Sequence, residues 1–463
     1  MHREVRLFSI IVLAVSSLVS VEGYAQGVLL ARGTLTGSTA GPFTDLSGLN
    51  YTLENGAQAN LLGGLGSGLG YLSGNTFLAV PDRGPNAVSY NPLVDDTTSY
   101  ISRFHTIQMT LTPNPGAGLP FLVTPELVST TLLYSTAPLV YGTGELGTDA
   151  THALGSGVPP INHPSRHYFT GRSDDFDPDH NSGFDRDARL DPESIRASND
   201  GQWVYISDEY GPYVYQFRRS TGQRIRVFRL PDSFYVANPN TTTTTEVAGN
   251  SSGRTPNKGM EGLAITPDGK TLVGMIQAPF IEDAVSANPG AKSLLRIVTI
   301  DTDTGETTHV YAYLLTTGSG VSEITAINDH QFMVDERDGK GLGDGSKAKI
   351  KHLFRIDLAN AFDVSGMSGP DAASHAVAKT ATPFIDLVAL LGANGIANTD
   401  VPAKIEGLAF GPDVTHNGTT YHTLWVANDN DFVQAIAGPN QFFVIGLTDA
   451  DLAGSPFVPQ EVK

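Results

Sequence analysis

The chain has 463 residues, a formal net charge of −19, no cysteine, and 50 glycines beside 28 prolines. The lack of cysteine excludes disulfide-stapled scaffolds and thiolate metal sites. The acidic balance argues against nucleic acid and anionic membranes as partners, and it is compatible with cation binding. The abundance of glycine and proline favours many turns joining short strands over long helices.

The N-terminus has the pattern of a secretory signal peptide. Arg3 and Arg6 precede an apolar run over residues 7–21, and small residues follow at Gly23 and Ala25. We predict cleavage after Ala25, which leaves a mature domain over residues 26–463. A membrane anchor is the alternative, although the run is shorter than the roughly 20 residues of a spanning helix. No later stretch is apolar enough to span a membrane, so we expect the mature protein to be soluble. An exported chain without cysteine fits a bacterial product that is secreted or periplasmic, and we expect it to be a monomer.

The rest of the chain has the pattern of an all-β protein. Short apolar runs bounded by Gly, Asp, Asn or Pro occur at residues 77–80, 203–206, 272–276, 294–300, 331–334 and 423–426. Tight hairpin turns are predicted at residues 267–270 and 303–306. Helical periodicity is limited to residues 358–362 and 385–391, and residues 232–257 have the composition of a surface loop.

One pattern recurs along the chain. A small or acidic residue leads into an apolar strand, and after a hairpin a second strand ends in acidic or amide residues. The leading residues are Ser47, Glu193, Glu261, Glu323 and Glu406, with successive gaps of 146, 68, 62 and 83 residues. Halving the first gap places a degenerate repeat near residues 100–140. Six units predict a single β-propeller of six blades, with seven as the alternative. Strands at residues 27–37 and 442–447 would close the ring by pairing in one blade.

Inner strands of a propeller converge on its axis, so equivalent residues of the repeats should share one mouth. The repeat places Glu193, Glu261, Glu323 and Glu406 at equivalent positions, and Asp429 follows the last second strand. Carboxylates that close cannot all stay ionised without a counter-charge. A hard divalent cation such as Ca²⁺ suits these oxygen ligands. The alternative is that each glutamate caps its own turn or pairs with a local Lys or Arg.

Basic residues are interleaved with these acids. Arg83, Lys258, Arg337 and Lys404 lie one to three residues from acidic members of the repeats. A cation with Arg and Lys beside it can hold and polarise a phosphate or carboxylate ester. A ring of mutually neutralising ion pairs is the alternative.

A second acidic segment, residues 174–183, has oxygen-bearing side chains at alternate positions before a glycine, which resembles a calcium-loop spacing. Arg186 stands where the usual twelfth-position glutamate would be, and a solvated acidic loop is the alternative. The sequence contains no H-E-x-x-H motif, which argues against a zincin site. Its G-x-S-x-G match at residues 249–253 falls inside the segment with the composition of a surface loop rather than between a strand and a helix, which argues against a nucleophile elbow.

Several of these segments resemble a known family. They are Pro81-Asp82-Arg83-Gly84-Pro85, Asp191-Pro192-Glu193, Ser207-Asp208-Glu209-Tyr210-Gly211-Pro212, Asn257-Lys258-Gly259-Met260-Glu261-Gly262-Leu263-Ala264, Asp335-Glu336-Arg337-Asp338, Ile405-Glu406-Gly407-Leu408 and Asn428-Asp429-Asn430-Asp431-Phe432. Together they resemble the "esterase-like activity of phytase" family from about Ser47 to Phe432. The resemblance implies an exported bacterial β-propeller and, loosely, the hydrolysis of phosphate or carboxylate esters. Ser194 and Ile195 follow Glu193 where the family tends to have glycine, and the acidic segment is longer than usual.

We therefore predict a Ca²⁺-dependent hydrolase of small anionic esters, with phosphate monoesters such as phytate favoured. The metal ligands would be Glu193, Glu261, Glu323, Glu406 and Asp429, of which Glu261, Glu406 and Asp429 are the catalytic candidates. The anion would be held by Arg83, Lys258, Arg337 and Lys404, and a metal-bound water would be the nucleophile. A lactonase or carboxylesterase at the same metal is one alternative. A non-catalytic envelope-binding propeller with a structural cation is the other, and it gains if all four mouth cations are tied in ion pairs.

Overall fold

The computed structural model describes residues 27–38, 41–142, 157–211, 214–284 and 291–463. The predicted signal peptide and its cleavage site lie outside these residues. Within them, no helix is both long and apolar enough to cross a membrane.

Short strands dominate the described ranges. The strands are β1 Val28–Leu35, β2 Gly68–Ser73, β3 Thr76–Val80, β4 Arg103–Pro113, β5 Phe121–Leu132, β6 Tyr134–Ser135, β7 His167–Tyr168, β8 Pro192–Ala197, β9 Trp203–Asp208, β10 Val214–Arg218, β11 Arg224–Phe228, β12 Met260–Ile265, β13 Thr271–Ile276, β14 Leu294–Asp301, β15 Thr307–Leu314, β16 Gly320–Ala326, β17 Gln331–Arg337, β18 Lys351–Asp357, β19 Ile385–Asp386, β20 Lys404–Phe410, β21 Val414–His416, β22 Thr419–Asp429 and β23 Asn440–Leu447. The helices are α1 Thr243–Gly249, α2 Ile281–Ala284, α3 Gly369–Ala373, α4 Leu387–Ala393 and α5 Gln434–Ala437.

These strands form the blades of a single β-propeller. Blades 1 to 4 are antiparallel sheets made of β2–β5, β8–β11, β12–β15 and β16–β19, each in chain order from the axis outwards. Blade 5 has the order β20-β22-β23-β1, and β21 pairs with β22 beside it. Each inner strand packs against the inner strands of both neighbouring blades, including β20 against β2. The prediction of an all-β propeller is confirmed.

The predicted number of blades is wrong, because the described structure has five. Residues 103–132, expected to hold a degenerate repeat, form β4 and β5, which are the outer strands of blade 1. In the connection from β5 to β8, the described residues 133–142 and 157–191 add little regular structure beyond the two-residue strands β6 and β7. The long first gap therefore contains an extended blade edge and a long insertion rather than a sixth blade.

The first repeat also begins later than predicted. Ser47, Gly48 and Leu49 lie in no strand, whereas Ser67, Gly68 and Leu69, the same three residue types, lead into β2. At the chain's ends, β1 pairs with β23 from Val28–Gly446 to Leu35–Asn440, so blade 5 contains strands from both.

Most of the smaller predictions agree with the structure. The turns at residues 267–270 and 303–306 connect β12 to β13 and β14 to β15, and α4 covers most of residues 385–391. The loop at residues 232–257 contains α1. The helix expected at residues 358–362 is absent, because the chain turns there: Leu358 N donates to His330 O at 2.9 Å and Ala359 N donates to Asp357 Oδ1 at 2.8 Å.

Glycine in the repeated segments has a packing cause. A Cβ atom at Gly68 would lie 2.6 Å from Ser194 Cα, and one at Gly262 would lie 2.8 Å from Ile324 N. Neighbouring inner strands thus approach too closely at this level of the axis for an ordinary side chain. The Glu-Gly-Leu segments of the sequence mark the contact between blades.

Candidate functional site

The pairing of the first two strands in each blade shows which residues are equivalent. Aligned apolar residues pair as Leu69–Ala79, Ile195–Ile206, Leu263–Gly274, Ile324–Val334 and Leu408–Val426. We call the first member of each pair the reference residue. The five residues that lie two positions before the reference residues form the first ring: Ser67, Glu193, Glu261, Ser322 and Glu406. The five residues that lie three positions after the paired residues on the second strands form the second ring: Asp82, Glu209, Gln277, Arg337 and Asp429.

Both rings face one end of the propeller axis, which we call the mouth. All their members except Ser67 line a cavity of about 570 Å³ there, together with Arg83, Lys258, Lys404 and Asp431. The structure therefore brings together eight of the nine predicted site residues: Glu193, Glu261, Glu406, Asp429, Arg83, Lys258, Arg337 and Lys404.

Glu323 is the residue that the structure does not bring into the mouth. It stands one position after Ser322, where blades 1, 3 and 5 have glycine and blade 2 has Ser194, and it is fully buried. Its carboxylate accepts hydrogen bonds from Ser194 Oγ at 2.8 Å and Leu263 N at 3.0 Å, and it pairs with Arg196 at 3.0 Å. Burial raises the pKa of Glu323 to about 7 despite the nearby Arg196.

Arg196 closes the axis below the mouth. Its guanidinium donates to the main-chain oxygens of four reference residues, namely Leu69 at 2.6 Å, Ile195 at 2.7 Å, Ile324 at 3.0 Å and Leu408 at 3.3 Å. The fifth reference oxygen, of Leu263, accepts from Ser194 Oγ at 3.3 Å. Arg196 also lines a cavity of about 60 Å³ on the opposite side, which the C-terminal segment 457–460 covers. The mouth is therefore a cup closed at its base.

Six carboxylates in or beside the mouth form two groups of three. Asp82, Asp429 and Asp431 make one, and Asp191, Glu193 and Glu209 make the other; within each group, three carboxylate oxygens lie within 4.8 Å of one another. Such buried acidic groups could bind a metal ion. Four of these residues, Asp82, Asp191, Glu209 and Asp431, were not among the predicted ligands. For Asp82, Glu209 and Asp431 the signal was the acidic end of the second strand, which the repeat already contained, whereas Asp191 directly precedes the first strand of blade 2.

Burial dominates the electrostatics of these acids. Burial, with Glu261 and Asp191 next, raises the pKa of Glu193 well above its usual range. Burial and the charge of Asp429 do the same to the pKa of Asp82. Burial and Glu406 raise the pKa of Glu261 to about 8. Such a cluster favours protons or a cation as counter-charge.

Three of the four predicted mouth cations are held by carboxylates. Arg83 lies 2.6 Å from Asp191, Lys404 lies 2.7 Å from Asp429, and Arg337 pairs with Glu406. Lys258 Nζ instead donates to Gln277 Oε1 at 2.9 Å, and no ion pair joins it to a carboxylate within the described chain. Glu261 Oε2 is buried there without a hydrogen-bond partner. Lys258 and Glu261 are thus the least committed of the predicted site residues in the mouth.

The segment 174–183 begins with buried acids rather than solvated ones. Asp174 pairs with Arg172 at 2.6 Å, and Asp175 accepts from Gly142 N at 2.8 Å. Neither joins a group of three possible metal ligands among the described residues.

The fold and the mouth define a propeller with a cup of mixed charge rich in buried carboxylates. The family described as Phytase-like, esterase-like activity of phytase, matches residues 60–432. The chain belongs to this family, and the predicted resemblance is confirmed.

A relative from Arthroderma benhamiae, described as an uncharacterized secreted protein, is 33% identical over 221 residues, which cover 44% of this chain and 40% of the relative. The match thus spans less than half of that relative. Among solved structures, a gluconolactonase from Xanthomonas campestris is 10% identical, with a TM-score of 0.30 over 92% of this chain and 99% of that one. A hydrazine synthase from Kuenenia stuttgartiensis is also 10% identical, with a TM-score of 0.30 over 81% and 79%. Structural likenesses this weak carry no argument about function.

Proposed function

We propose that the protein is an exported, metal-dependent ester hydrolase whose active site is the mouth. The observation that carries this proposal is the convergence of two three-carboxylate groups with Lys258 and Glu261 at one cavity of about 570 Å³, whose lining includes every member of the two groups except the buried Asp191. The secreted relative supports export. Phosphate monoesters are the favoured substrates, because a cup lined by five basic side chains, the four predicted ones and Lys292, suits an anionic ester.

The donor set fits a hard divalent cation such as Ca²⁺. Ca²⁺ prefers oxygen ligands such as carboxylates. Each acidic group offers three carboxylate oxygens that lie close enough together to bind one ion. The candidate ligands are Asp191, Glu193 and Glu209 on one side, and Asp82, Asp429 and Asp431 on the other. Glu323 is left out of this set because Arg196 and Ser194 already hold its carboxylate. When bound, the ion would polarise an ester oxygen and acidify a water molecule.

The chain's own residues supply proton transfer and anion binding. Glu261 has a free Oε2 atom and a pKa raised to about 8, so at neutral pH this carboxyl can give a proton to a leaving oxygen. Lys258 lies close enough for its charge to act on both Glu209 and Glu261. Its ammonium group can hold the ester anion beside that carboxyl. Glu406 and Asp429 orient Arg337 and Lys404 through their ion pairs.

A non-catalytic binding propeller with a structural cation is the second candidate. It is favoured by the ion pairs that neutralise Arg83, Arg337 and Lys404. Only Lys258, among the predicted mouth cations, lacks such a pair in the described structure.

Assays with p-nitrophenyl phosphate, p-nitrophenyl acetate and a simple lactone, each with Ca²⁺ and with a chelator, separate the candidates. We expect Ca²⁺-dependent turnover that is fastest with the phosphate ester and falls about 100-fold or more in Glu261→Gln. Glu126→Gln, an exposed change on β5, is the matched control and should leave the rate unchanged. Turnover of the acetate or lactone alone would favour a carboxylesterase or lactonase. No turnover of any ester, with Ca²⁺ still raising the melting temperature, would refute catalysis and leave the binding propeller.

A further inference from the structure

A second, smaller cavity borders the mouth. It has a volume of about 70 Å³ and is lined by three arginines, Arg83, Arg189 and Arg254, with Glu246 and Asp95 as the acidic members. We call it the arginine pocket. Arg83 and Asn257 line both cavities and separate them. The volume exceeds that of one water molecule, which is enough for a small oxyanion.

The guanidinium groups of this pocket are buried and incompletely used. Arg189 and Arg254 are only 4% and 1% exposed. Arg189 Nη2 has no hydrogen-bond partner among the described residues, and its nearest carboxylate oxygen, from Glu246, is 3.9 Å away. Arg83 Nε likewise lacks a partner in the described chain. Buried donors without acceptors are unfavourable unless a ligand or water satisfies them.

The ion pairs of the pocket leave some of its guanidinium N–H groups without an acceptor among the described residues. Glu246 forms an ion pair with Arg254 at 2.9 Å, so one carboxylate serves two buried guanidiniums. Asp95 is engaged by Thr243, whose N and Oγ donate to it at 2.7 and 2.8 Å. Arg83 pairs with Asp191, so Glu246 is the acid that Arg189 and Arg254 share, and it does not satisfy all of their buried N–H groups.

We propose that the arginine pocket binds one oxyanion group of the phosphate or sulfate type. Guanidiniums match such anions in geometry as well as in charge. The site takes the anion by displacing water from Arg189 Nη2 and Arg83 Nε. It does not depend on catalysis in the mouth, because a chain that hydrolyses no ester can still bind phosphate here.

Calorimetric titration of the full chain with inorganic phosphate, in buffer containing a chelator, tests the pocket. We expect saturable binding to the wild type and at least tenfold weaker binding to Arg254→Gln, because a charge-assisted donor is lost. Glu246→Gln should bind several-fold more tightly, since it removes the carboxylate that competes for both arginines. Arg229→Gln is the matched control, an exposed arginine paired with Asp185 at 3.3 Å, and should bind as the wild type does.

The outcome of Lys258→Gln locates the phosphate. If Lys258→Gln binds phosphate as the wild type does, the result supports the arginine pocket. If Lys258→Gln loses phosphate binding and Arg254→Gln keeps it, phosphate binds in the mouth and the proposal is overturned. If Arg254→Gln does not fold, Glu246→Gln decides, and equal or weaker binding in it also overturns the proposal. Titration with phenyl phosphate shows whether the ligand is free phosphate or the phosphate group of an ester. If phenyl phosphate competes with inorganic phosphate, the pocket accepts an ester's phosphate group. If it does not compete, the pocket binds only the free anion.

Discussion

Replacing Arg196 with Met is the sharpest test of how the propeller is held together at its axis. Methionine fills much of the same space but cannot donate to the four reference oxygens or pair with Glu323. The substitution therefore leaves the buried Glu323 carboxylate with only neutral hydrogen-bond donors. It also removes the Arg196 donors from the four buried reference carbonyl groups.

The size of the effect follows from these contacts. Removing one partner of a buried ion pair costs about 3–5 kcal/mol. The orphaned carbonyl groups add about 1 kcal/mol or more unless water reaches them. Near pH 8 we therefore expect Arg196→Met to lower the free energy of unfolding by about 4 kcal/mol or more.

The loss should depend on pH. The folded-state pKa of Glu323 is raised from 4.5 to about 7, so the contribution of this carboxyl to the stability of the wild type is fully present below pH 4.5 and is lost as pH rises through 7. Without Arg196 this pKa rises further, and near pH 5.5 the carboxyl of the variant is neutral. There we expect a loss of only about 2 kcal/mol.

Urea unfolding followed by circular dichroism near pH 5.5 and near pH 8 measures both losses. At the higher pH, Arg196→Met with Glu323→Gln should recover about 2 kcal/mol relative to Arg196→Met alone. Arg229→Met, at an arginine side chain that is 64% exposed, is the control and should cost less than about 1 kcal/mol. Equal losses at both pH values, with no recovery in the double variant, would refute the assigned role of the ion pair.

Two further predictions concern the contact between blades and the mouth. Gly262→Ala places a Cβ atom 2.8 Å from Ile324 N and should lower the free energy of unfolding by about 1–3 kcal/mol in urea, whereas Gly392→Ala, which has no neighbour within 4 Å, should not. A neutral Gly262→Ala would contradict the close approach of the strands. Burial raises the pKa values of Glu193 and Glu209, so Ca²⁺ must displace protons and should bind more tightly near pH 8 than near pH 6. Calorimetry in buffers of different ionisation enthalpy measures the released protons, and a pH-independent affinity would be evidence against binding at these carboxylates.

The general architecture could be predicted from the sequence, but the number of blades could not. The repeats recur because every blade needs the same inner strand and hairpin. A gap of 146 residues, however, does not reveal whether it holds another blade or an insertion. The motif itself was also ambiguous, since Ser47-Gly48-Leu49 and Ser67-Gly68-Leu69 contain the same residue types and only the second leads into a strand.

The mouth was predictable to the extent that it depends on the repeat. Glu193, Glu261 and Glu406 share a position in every sense: by residue type, by strand register and by the cavity they line. Glu323 shares only the residue type. Its blade reads Ser-Glu-Ile where blade 2 reads Glu-Ser-Ile, and a shift of one position along the strand carries the carboxylate from the mouth to the axis below it. Strand pairing decides this, and pairing is not visible in residue types.

The residues that depart from Glu-Gly-Leu in blades 2 and 4 form one unit. Close strands require glycine at this position in the other blades, whereas blade 4 places Glu323 there and blade 2 places Ser194. Ser194 Oγ donates to Glu323, and Arg196, two positions further on, neutralises the same carboxylate. A carboxylate on the axis would be untenable alone, and a guanidinium there would be equally so. The departures therefore compensate one another, and together they close the base of the cup on which the proposed chemistry depends.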